Sequence, residues 1–450
     1  MYLETIKSAG LSHLSYLLGS EGKAVVIDPR RDCEIYLEHA REQGLEITHI
    51  FETHRNEDLI SGAPVLAAQC GARILHGCDP KAPVAYAETA REGDCYEIGH
   101  LRLEILETPG HTDDHIAIAI HDANFADGAV GVFTGDALFV GDVGRTDFYP
   151  DRAEEVAGLL YDSLRKIIAL GDQAIVYPAH GAGSVCGSAM AEREFSTVGH
   201  ERCNNPKLQI KDRDAFIRAK LDEVHYQPPY FRLMERANVE GWPAANRVIA
   251  PKPLCLNEID DAGADLWVDV RDPESFAAGH LPGSLNLPRD MIPGFAGWFI
   301  PEGASVCLIA NSDADLRVSM AHLVRMGLDR VVGGYTGVVE AVAEGRPFRA
   351  LPMISTSTVQ DRLACSADDW TLLDVRAAHE VSQDSIEGSL HIYLGHLNDA
   401  WRQLDPKRAY TLMCASGKRA TIGAGWLASK GFERVDIYLG SMGAWKAAQS

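Results

Sequence analysis

Four short polar segments, each directly after an apolar strand, are the feature that most constrains the fold of this chain. They occupy residues 53–59, 108–111, 134–136 and 177–180. Each carries a histidine or an aspartate, and loops at strand ends are where α/β scaffolds place their chemistry. Helical spacing of apolar residues between the strands, as in residues 154–170, completes an α/β pattern over about the first 205 residues. The pattern predicts one metal centre built from several loops.

The spacing within the first segment indicates which type of metal centre these loops would form. Thr-His-Arg-Asn-Glu-Asp-Leu resembles the T-H-x-H-x-D-H frame of the metallo-β-lactamase superfamily, with Asn56 and Leu59 in place of two histidines. A hydrolase with two zinc ions needs both metals held firmly. The residues that remain are His54, His111 and Asp136. Two histidines and one carboxylate suit a single non-haem Fe(II) ion with open positions for O2 and substrate.

Within that superfamily, residues 1–240 most resemble the persulfide dioxygenases, through segments 15–17, 26–31, 62–63 and 144–148. The resemblance implies an αββα sandwich in which His54, His111 and Asp136 bind one iron ion, a place that zinc can also take. Three neighbours of the motif would orient the ligands and water or form a weak second metal site. They are Asp58, His180 and Asn56.

Two further residues of the first domain are candidates for substrate chemistry. Arg145 would contact a substrate carboxylate, with an ion pair to Asp147 or Asp142 as the equal alternative. The resemblance to fusions of a persulfide dioxygenase with rhodanese implies that Cys203 lies near the iron pocket, as a second sulfur carrier or substrate contact. An ordinary packed or surface thiol is the alternative for Cys203. His115 has no ligand role in the frame, and we expect it to orient the ligands or to be structural.

An internal repeat organises the last 200 residues. Asp269 and Asp374 occupy equivalent places in two Asp-Val-Arg segments, and Gly283 and Gly388 in two Gly-Ser-Leu segments, both pairs 105 residues apart. Two copies of this length indicate two α/β domains and not a solenoid. We therefore predict three domains, over residues 1–240 (with linker helices after about 206), 241–350 and 351–450.

The second repeat carries a reactive cysteine. Cys414 opens the six-residue loop Cys-Ala-Ser-Gly-Lys-Arg between a strand and a helix. The helix dipole, the loop amides and the charges of Lys418 and Arg419 stabilise a thiolate or persulfide anion there. The loop and its Asp-Val-Arg frame resemble the rhodanese sulfurtransferases. The resemblance implies that Cys414 carries a persulfide sulfur, held by Arg419 and by the loop around Ser416 and Gly417.

The first repeat lacks this chemistry. The position that matches the reactive cysteine falls on Ala310 or Ile309, and two acids, Asp313 and Asp315, stand where the cations would be. Cys307 lies within the apolar run and is expected to pack. We predict an inactive rhodanese-like domain that serves as a spacer or interface.

Charge and composition exclude several classes of partner. The net charge of −22 argues against nucleic acid and anionic membranes. No apolar run approaches about 20 residues, so no membrane-spanning helix is expected. The N-terminus lacks the layout of a signal peptide, and the ten cysteines show no disulfide framework. These features predict a cytoplasmic protein.

The two resemblances together imply an Fe(II)-dependent persulfide dioxygenase coupled to a rhodanese sulfurtransferase. Its substrates would be small-molecule persulfides and O2, with sulfite or thiosulfate as products in sulfide detoxification, and it would be a homodimer or homotetramer. The first alternative is a zinc-dependent thioester hydrolase of the glyoxalase II type with a rhodanese appendage. The second is a non-catalytic sulfur relay or redox sensor.

Overall fold

The computed structural model describes residues 1–79, 81–184, 190–193, 195–243, 250–365 and 369–449. Contacts divide the chain into two compact units, residues 1–247 with 324–327 and residues 248–323 with 328–450. Within the described residues, no helix is long and apolar enough to cross a bilayer.

Two six-stranded sheets form the first unit. One sheet has the order β1-β2-β3-β4-β5-β6, and the other has the order β12-β11-β10-β9-β8-β7. The strands of the first sheet are β1 (Tyr2–Ser8), β2 (His13–Ser20), β3 (Lys23–Ile27), β4 (Glu46–Glu52), β5 (Arg73–His76) and β6 (Glu88–Thr89). Those of the second are β7 (Cys95–Ile98), β8 (Leu101–Glu107), β9 (Ile116–Asp122), β10 (Ala129–Gly135), β11 (Ile175–Pro178) and β12 (Ser196–Thr197).

Apolar residues of this unit pack between the two sheets and also on the outer face of each sheet. Alternate residues of β8, such as Leu103 and Ile105, pack against Phe51 and other residues of the first sheet, as a strand with one buried face requires. Helices cover the outer faces, which gives four layers and confirms the predicted αββα sandwich. The helices are α1 (Glu34–Glu42), α2 (Ala63–Cys70), α3 (Ala153–Ile168), α4 (Val198–Asn204), α5 (Arg213–Leu221) and α6 (Phe231–Glu240).

Helices α5 and α6, which we predicted to be linker, pack as parts of the first unit. Phe216 of α5 is buried in the same core cluster as Leu160 and Leu164 of α3. The polar and proline-containing sequence around these helices suggested a linker, but their few apolar residues are buried. Helix α6 also contributes to the metal site.

Two small parallel sheets form the second unit and correspond to the two predicted repeats. The first sheet has the order β14-β13-β15-β16, and the second has the order β17-β21-β20-β18-β19. The first repeat contains β13 (Leu266–Asp269), α7 (Pro273–Ala278), β14 (Leu285–Asn286), α8 (Ile292–Phe299), β15 (Val306–Ile309), α9 (Asp313–Arg325), β16 (Val331–Tyr335) and α10 (Val338–Ala343). The second contains β17 (Met353–Ile354), α11 (Thr356–Cys365), β18 (Trp370–Asp374), α12 (Ala378–Gln383), β19 (Leu390–His391), α13 (Leu397–Ala400), β20 (Ala409–Met413), α14 (Lys418–Ser429), β21 (Val435–Tyr438) and α15 (Ser441–Gln449).

The two repeats pack against each other through α14. The rings of Phe299 and Trp426 lie 5.1 Å apart, and Phe276 of the first repeat packs beside Gly425. This contact brings the loop before α14 close to residues of the first repeat.

Candidate metal centre and thiol site

The structure brings the three predicted metal ligands together. His54 follows β4, His111 follows the loop after β8, and Asp136 follows β10. Oδ2 of Asp136 lies 3.7 Å from Nε2 of His54 and 3.5 Å from Nε2 of His111. Among the described residues this is the one cluster of histidine, cysteine and acidic side chains whose donor atoms all lie close enough to share an ion.

The donor atoms of this cluster fit a divalent metal ion. The Nε2 atoms of both histidines and Oδ2 of Asp136 are buried and have no hydrogen-bond partner. Buried polar atoms in native proteins nearly always have a partner. Three such atoms facing one another are what Fe(II) or Zn(II) would need as ligands.

Hydrogen bonds fix both imidazoles so that Nε2 faces the site. The hydroxyl of Thr53 donates to Asp28 at 2.8 Å and can therefore accept from Nδ1 of His54, 2.9 Å away. Nδ1 of His111 donates to the carbonyl of Arg145 at 3.0 Å. With the proton on Nδ1 in each case, the Nε2 lone pair is free for a metal ion.

His115 positions Asp136 and does not bind a metal. Its Nε2 accepts a hydrogen bond from the backbone N–H of Asp136 at 2.9 Å, and its Nδ1 lies 2.8 Å from the hydroxyl of Thr108. Burial lowers the pKa of His115 to about 3, so the ring is neutral. This geometry is that of a residue that orients a metal ligand.

His180 bridges the two carboxylates that the superfamily frame assigns to a second metal. Its Nδ1 lies 2.7 Å from Oδ1 of Asp136, and its Nε2 lies 3.1 Å from Oδ2 of Asp58. Burial opposes a charge on this ring, but the attraction of Asp136 and Asp58 raises the pKa of His180 well above its usual value. Both nitrogens of His180 are thus engaged by carboxylates, and this arrangement favours an orienting role over a weak second metal site.

Sequence reasoning missed Asn238 of helix α6. This residue makes three hydrogen bonds to the loop after β4, residues 53–59 with its neighbour Ser61, which we call the metal loop. Its side-chain N–H groups donate to the carbonyls of Asn56 at 2.7 Å and Leu59 at 2.9 Å, and its oxygen accepts from the N–H of Ser61 at 2.8 Å. Asn238 is buried. The one sequence signal was a polar residue on the apolar face of a helix, about 180 positions from the loop that it supports.

Glu57 is a second residue that sequence reasoning missed. Its Oε2 lies 3.3 Å from Nε2 of His111, and the side chain is buried. The frame leaves this position unspecified, so the motif gave no reason to single it out. A neighbouring residue, Arg55, instead turns away to Asp114 and Asp79.

Two cavities adjoin the metal cluster. One of about 270 Å3 is lined by residues that include Asn56, Glu57, Thr112, Phe148, Tyr149 and Phe231. The other, of about 430 Å3, is lined by residues that include Ser12, His13, Val140, His180, Ala182 and Arg193. The first is lined by three residues of the metal loop, Arg55, Asn56 and Glu57, and by three aromatic side chains.

The two candidate substrate residues of this unit, Arg145 and Cys203, do not line these two cavities. Arg145 forms a bidentate ion pair with Asp147 at 2.7 and 2.6 Å and packs its guanidinium over Phe148. A substrate carboxylate would have to displace Asp147, so the geometry favours the ion-pair alternative. Cys203 is exposed near the end of α4 and is not among the described residues that line either cavity. Its role in sulfur transfer stays a prediction.

The thiol loop of the second repeat is shaped around the sulfur of Cys414. The residue follows β20 directly and is buried, and its Sγ accepts a hydrogen bond from the N–H of Gly417 at 3.1 Å. Gly417 has a φ of 115°, which a residue with a Cβ rarely adopts. The backbone N–H of Cys414 donates to the hydroxyl of Ser441 at 3.0 Å. The loop therefore points an amide at the sulfur, as an anion-binding turn does.

Both cations of the loop are paired with carboxylates. Arg419 forms a bidentate ion pair with Glu380 at 2.6 and 2.7 Å. Lys418 lies 2.6 Å from Asp290, which belongs to the first repeat. Ser416 is exposed at the tip of the loop. The first repeat thus contributes a charged residue beside the thiol loop.

The matching loop of the first repeat has the opposite charge pattern. Asp315 stands at the place of the loop arginine, accepts a hydrogen bond from Ser312 at 2.7 Å and pairs with Arg289. Cys307 is fully buried in β15, and burial raises its pKa to about 11. The matching loop of this repeat therefore has no thiol at its start.

Comparisons with known families agree with the order of domains. The model of the metallo-beta-lactamase superfamily matches residues 9–180. The model of the rhodanese-like domain matches residues 253–342 and again residues 355–448. Both predicted resemblances and the predicted fold class are confirmed, while the boundaries of the three domains stay a prediction.

Similar proteins divide between two activities. Persulfide dioxygenase ETHE1, mitochondrial, of Mus musculus is 32% identical over 227 residues, which are 48% of this chain and 78% of the relative. A hydroxyacylglutathione hydrolase of Chromohalobacter salexigens is 32% identical over 226 residues, 45% of this chain and 83% of the relative. The crystal structure of a metallo-beta-lactamase from Staphylococcus aureus subsp. aureus COL is 29% identical, with a TM-score of 0.67 over 74% of this chain and 98% of that one. The chain therefore belongs to the metallo-β-lactamase superfamily, with two rhodanese-like domains after the first domain and homology to ETHE1 persulfide dioxygenases in its N-terminal half.

Proposed function

We propose that this protein is an Fe(II)-dependent persulfide dioxygenase coupled to a rhodanese sulfurtransferase. The observation that carries the proposal is the set of three buried, unpartnered donor atoms on His54, His111 and Asp136, beside a His180 that is held by both second-site carboxylates. Fe(II) bound by this set would supply adjacent open positions for O2 and for the persulfide sulfur. A single-ion site of this kind suits oxygenation better than hydrolysis by two zinc ions.

The residues around the metal cluster would bind and orient the substrate. The cavity of about 270 Å3 has room for a small persulfide, and the rings of Phe148, Tyr149 and Phe231 would exclude water from it. Thr53 and the carbonyl of Arg145 hold the two imidazoles in place while substrate enters. With O2 as oxidant and one water consumed, the S–S bond of the persulfide would break, the outer sulfur would leave as sulfite and the thiol would be released.

The thiol loop would perform the second reaction. The Cys414 thiolate attacks the outer sulfur of a persulfide donor, a new S–S bond forms at Cys414, and the donor leaves as a thiolate. Sulfite then attacks that outer sulfur, thiosulfate is released, and the Cys414 thiolate returns. The N–H of Gly417 would stabilise the Cys414 thiolate before and after the transfer.

Both products fit a role in sulfide detoxification. We further propose that the protein acts in the cytoplasm, where the nine cysteines of the described residues would stay free thiols, and that it forms a homodimer or homotetramer. A tethered second site would receive sulfite at high effective concentration.

The second candidate is a zinc-dependent thioester hydrolase of the glyoxalase II type. The hydroxyacylglutathione hydrolase of Chromohalobacter salexigens, with the same identity to this chain as the mouse dioxygenase, favours it. The replacement of two metal-site histidines by Asn56 and Leu59 counts against it, because metal-activated hydrolysis of this type relies on two ions.

In the third candidate, a sulfur relay or redox sensor, the metal cluster would be inactive.

Oxygen uptake tests the proposal. Full-length protein, loaded anaerobically with Fe(II), is given a thiol persulfide and then O2, as wild type and as Cys414→Ser. We expect uptake by both proteins and thiosulfate from the wild type alone. The exposed Cys365 of the same unit provides a matched control, and Cys365→Ser should behave as wild type. A protein with bound iron that consumes no O2 would contradict the dioxygenase, and thioester hydrolysis by the zinc form would favour the hydrolase.

A further inference from the structure

We propose that Asn56 and Tyr149 bind an amide group in the organic part of the persulfide, an inference that rests on the substrate class of the proposed function. Both residues line the cavity of about 270 Å3 beside the metal cluster. Phe148 lines it too, and its ring is 5.3 Å from that of His111. A substrate whose sulfur reaches the metal cluster would therefore leave the rest of its molecule in this cavity.

The side-chain oxygen of Asn56 is an acceptor without a donor. Asn56 is only 4% exposed, and its Oδ1 makes no hydrogen bond with any residue that the structure describes. Its backbone is held firmly, because Asn238 donates to the carbonyl of Asn56 at 2.7 Å. Buried polar atoms in native proteins nearly always have a partner. A ligand N–H in the cavity would supply the missing donor.

The hydroxyl of Tyr149 is a donor without an acceptor. Its oxygen accepts hydrogen bonds from Nη2 of Arg55 at 3.3 Å and from the backbone N–H of Asp113 at 3.1 Å. Within the described part of the chain, no acceptor takes the hydrogen of this hydroxyl. Burial raises the pKa of Tyr149, so the hydrogen is kept at neutral pH. A carbonyl oxygen of a ligand in the cavity can accept it.

The charges around this cavity favour an amide over a carboxylate. Arg55 is the buried cation of the wall, but it forms ion pairs with two aspartates at 3.2 Å each. Glu57 adds a buried carboxylate, and the exposed Arg232 and Glu235 carry opposite charges. A further negative charge would therefore gain little attraction here and would lose its hydration. An amide is neutral and supplies both the N–H for Asn56 and the carbonyl for Tyr149.

Thiol binding tests this assignment without measuring turnover. Full-length Zn(II)-loaded wild type, Tyr149→Phe and Tyr161→Phe are titrated calorimetrically with N-acetylcysteamine and with 2-ethoxyethanethiol, which has an ether in place of the amide. We expect the wild type to bind the amide thiol about tenfold more tightly than the ether, and Tyr149→Phe to lose most of this preference. Tyr161 does not line the cavity and donates to the carbonyl of Lys211, so Tyr161→Phe is the matched control and should keep the preference.

Asn56→Leu separates a ligand contact from a structural residue. Leucine shares the branched shape of asparagine without its polar atoms, and the side-chain oxygen that it removes has no partner in the described protein. Urea denaturation should therefore show Asn56→Leu to be at least as stable as wild type, while its preference for N-acetylcysteamine is lost. A clear loss of stability in this variant would overturn the part assigned to Asn56.

The other outcomes are equally decisive. Equal binding of the two thiols by the wild type, or an equal loss of affinity for both in Tyr149→Phe, would overturn the inference. Tighter binding of 3-mercaptopropionate than of N-acetylcysteamine would overturn the choice of an amide over a carboxylate. A failure of the proposed function would instead appear as no O2 uptake by the iron-loaded wild type, whatever the thiol affinities of the zinc form are.

Discussion

Nδ1 of His180 lies 2.7 Å from Oδ1 of Asp136, so one carboxylate faces the metal donors with one oxygen and holds a histidine with the other. On its far side, the same ring approaches Asp58 at 3.1 Å. The ring of His180 thus lies between the two carboxylates, with one nitrogen facing each.

Restoring both histidines should restore a second metal position. We expect Asn56→His with Leu59→His to raise bound Zn(II) from one to two ions per chain, because two new imidazole donors would join Asp58 and His180. Asn56 and Leu59 are both buried beside the site. Metal content after dialysis, measured by mass spectrometry, checks this, and each single variant should stay nearer to one ion. A double variant that still binds one ion would contradict our view of His180.

Removal of the Asn238 side chain should loosen the metal loop. Asn238→Ala leaves two carbonyls and one N–H buried without partners, so we expect a loss of about 3 kcal/mol in the free energy of unfolding. Metal affinity should fall about tenfold, as it does when groups that orient ligands are removed. Urea denaturation and competition with a chelator measure the two effects. Glu235→Ala on the same helix is exposed and should change neither.

The two ion pairs of the thiol loop should differ in their effects on the free energy of unfolding and on anion binding. Lys418 and Asp290 are each about half exposed, at 52% and 54%, so Asp290→Asn should change the free energy of unfolding by less than about 0.5 kcal/mol. It should nevertheless lower the KM for thiosulfate a few-fold at low ionic strength, because Lys418 is released to attract the anion, and the effect should vanish in high salt.

Glu380→Gln is the contrasting variant, because its partner Arg419 is largely buried. We expect it to cost stability and sulfurtransferase activity together. Equal KM values for wild type and Asp290→Asn at low salt would show that the pair across the two repeats has no part in anion binding.

Acid should weaken the first unit through Glu223. Burial alone would raise the pKa of this carboxyl, but bonds from His225, Lys220 and Lys207 bring it down to about 2. Because the unfolded value is about 4.3, this stabilisation is fully present above about pH 4.3 and is lost as the pH falls toward 2. Glu223→Gln should therefore cost about 2 kcal/mol at neutral pH and progressively less below pH 4.

Urea denaturation of wild type and Glu223→Gln at neutral and at acid pH checks this dependence. Glu240→Gln, an exposed carboxylate at the end of α6, serves as the control and should leave the stability unchanged at both pH values. A stability difference between wild type and Glu223→Gln that persists at low pH would contradict the assignment.

The sequence by itself determined the αββα order, the two repeats and the place of His54, His111, Asp136 and Cys414. The repeats and the cysteine loop follow from local signals, namely matching segments 105 residues apart and a glycine in a tight loop. The αββα order and the three metal ligands follow from the resemblance of the polar segments after the strands to the metallo-β-lactamase frame. Such signals lie within a few residues of the side chains that they predict.

Only the tertiary structure decided which distant groups meet. Residues up to 182 positions apart in the sequence meet in the folded chain. Asn238 bonds to the metal loop, Glu57 lies beside His111, and Lys418 pairs with Asp290. No local pattern encodes these contacts, because they depend on which side chains are buried when elements pack and on which charges then need partners.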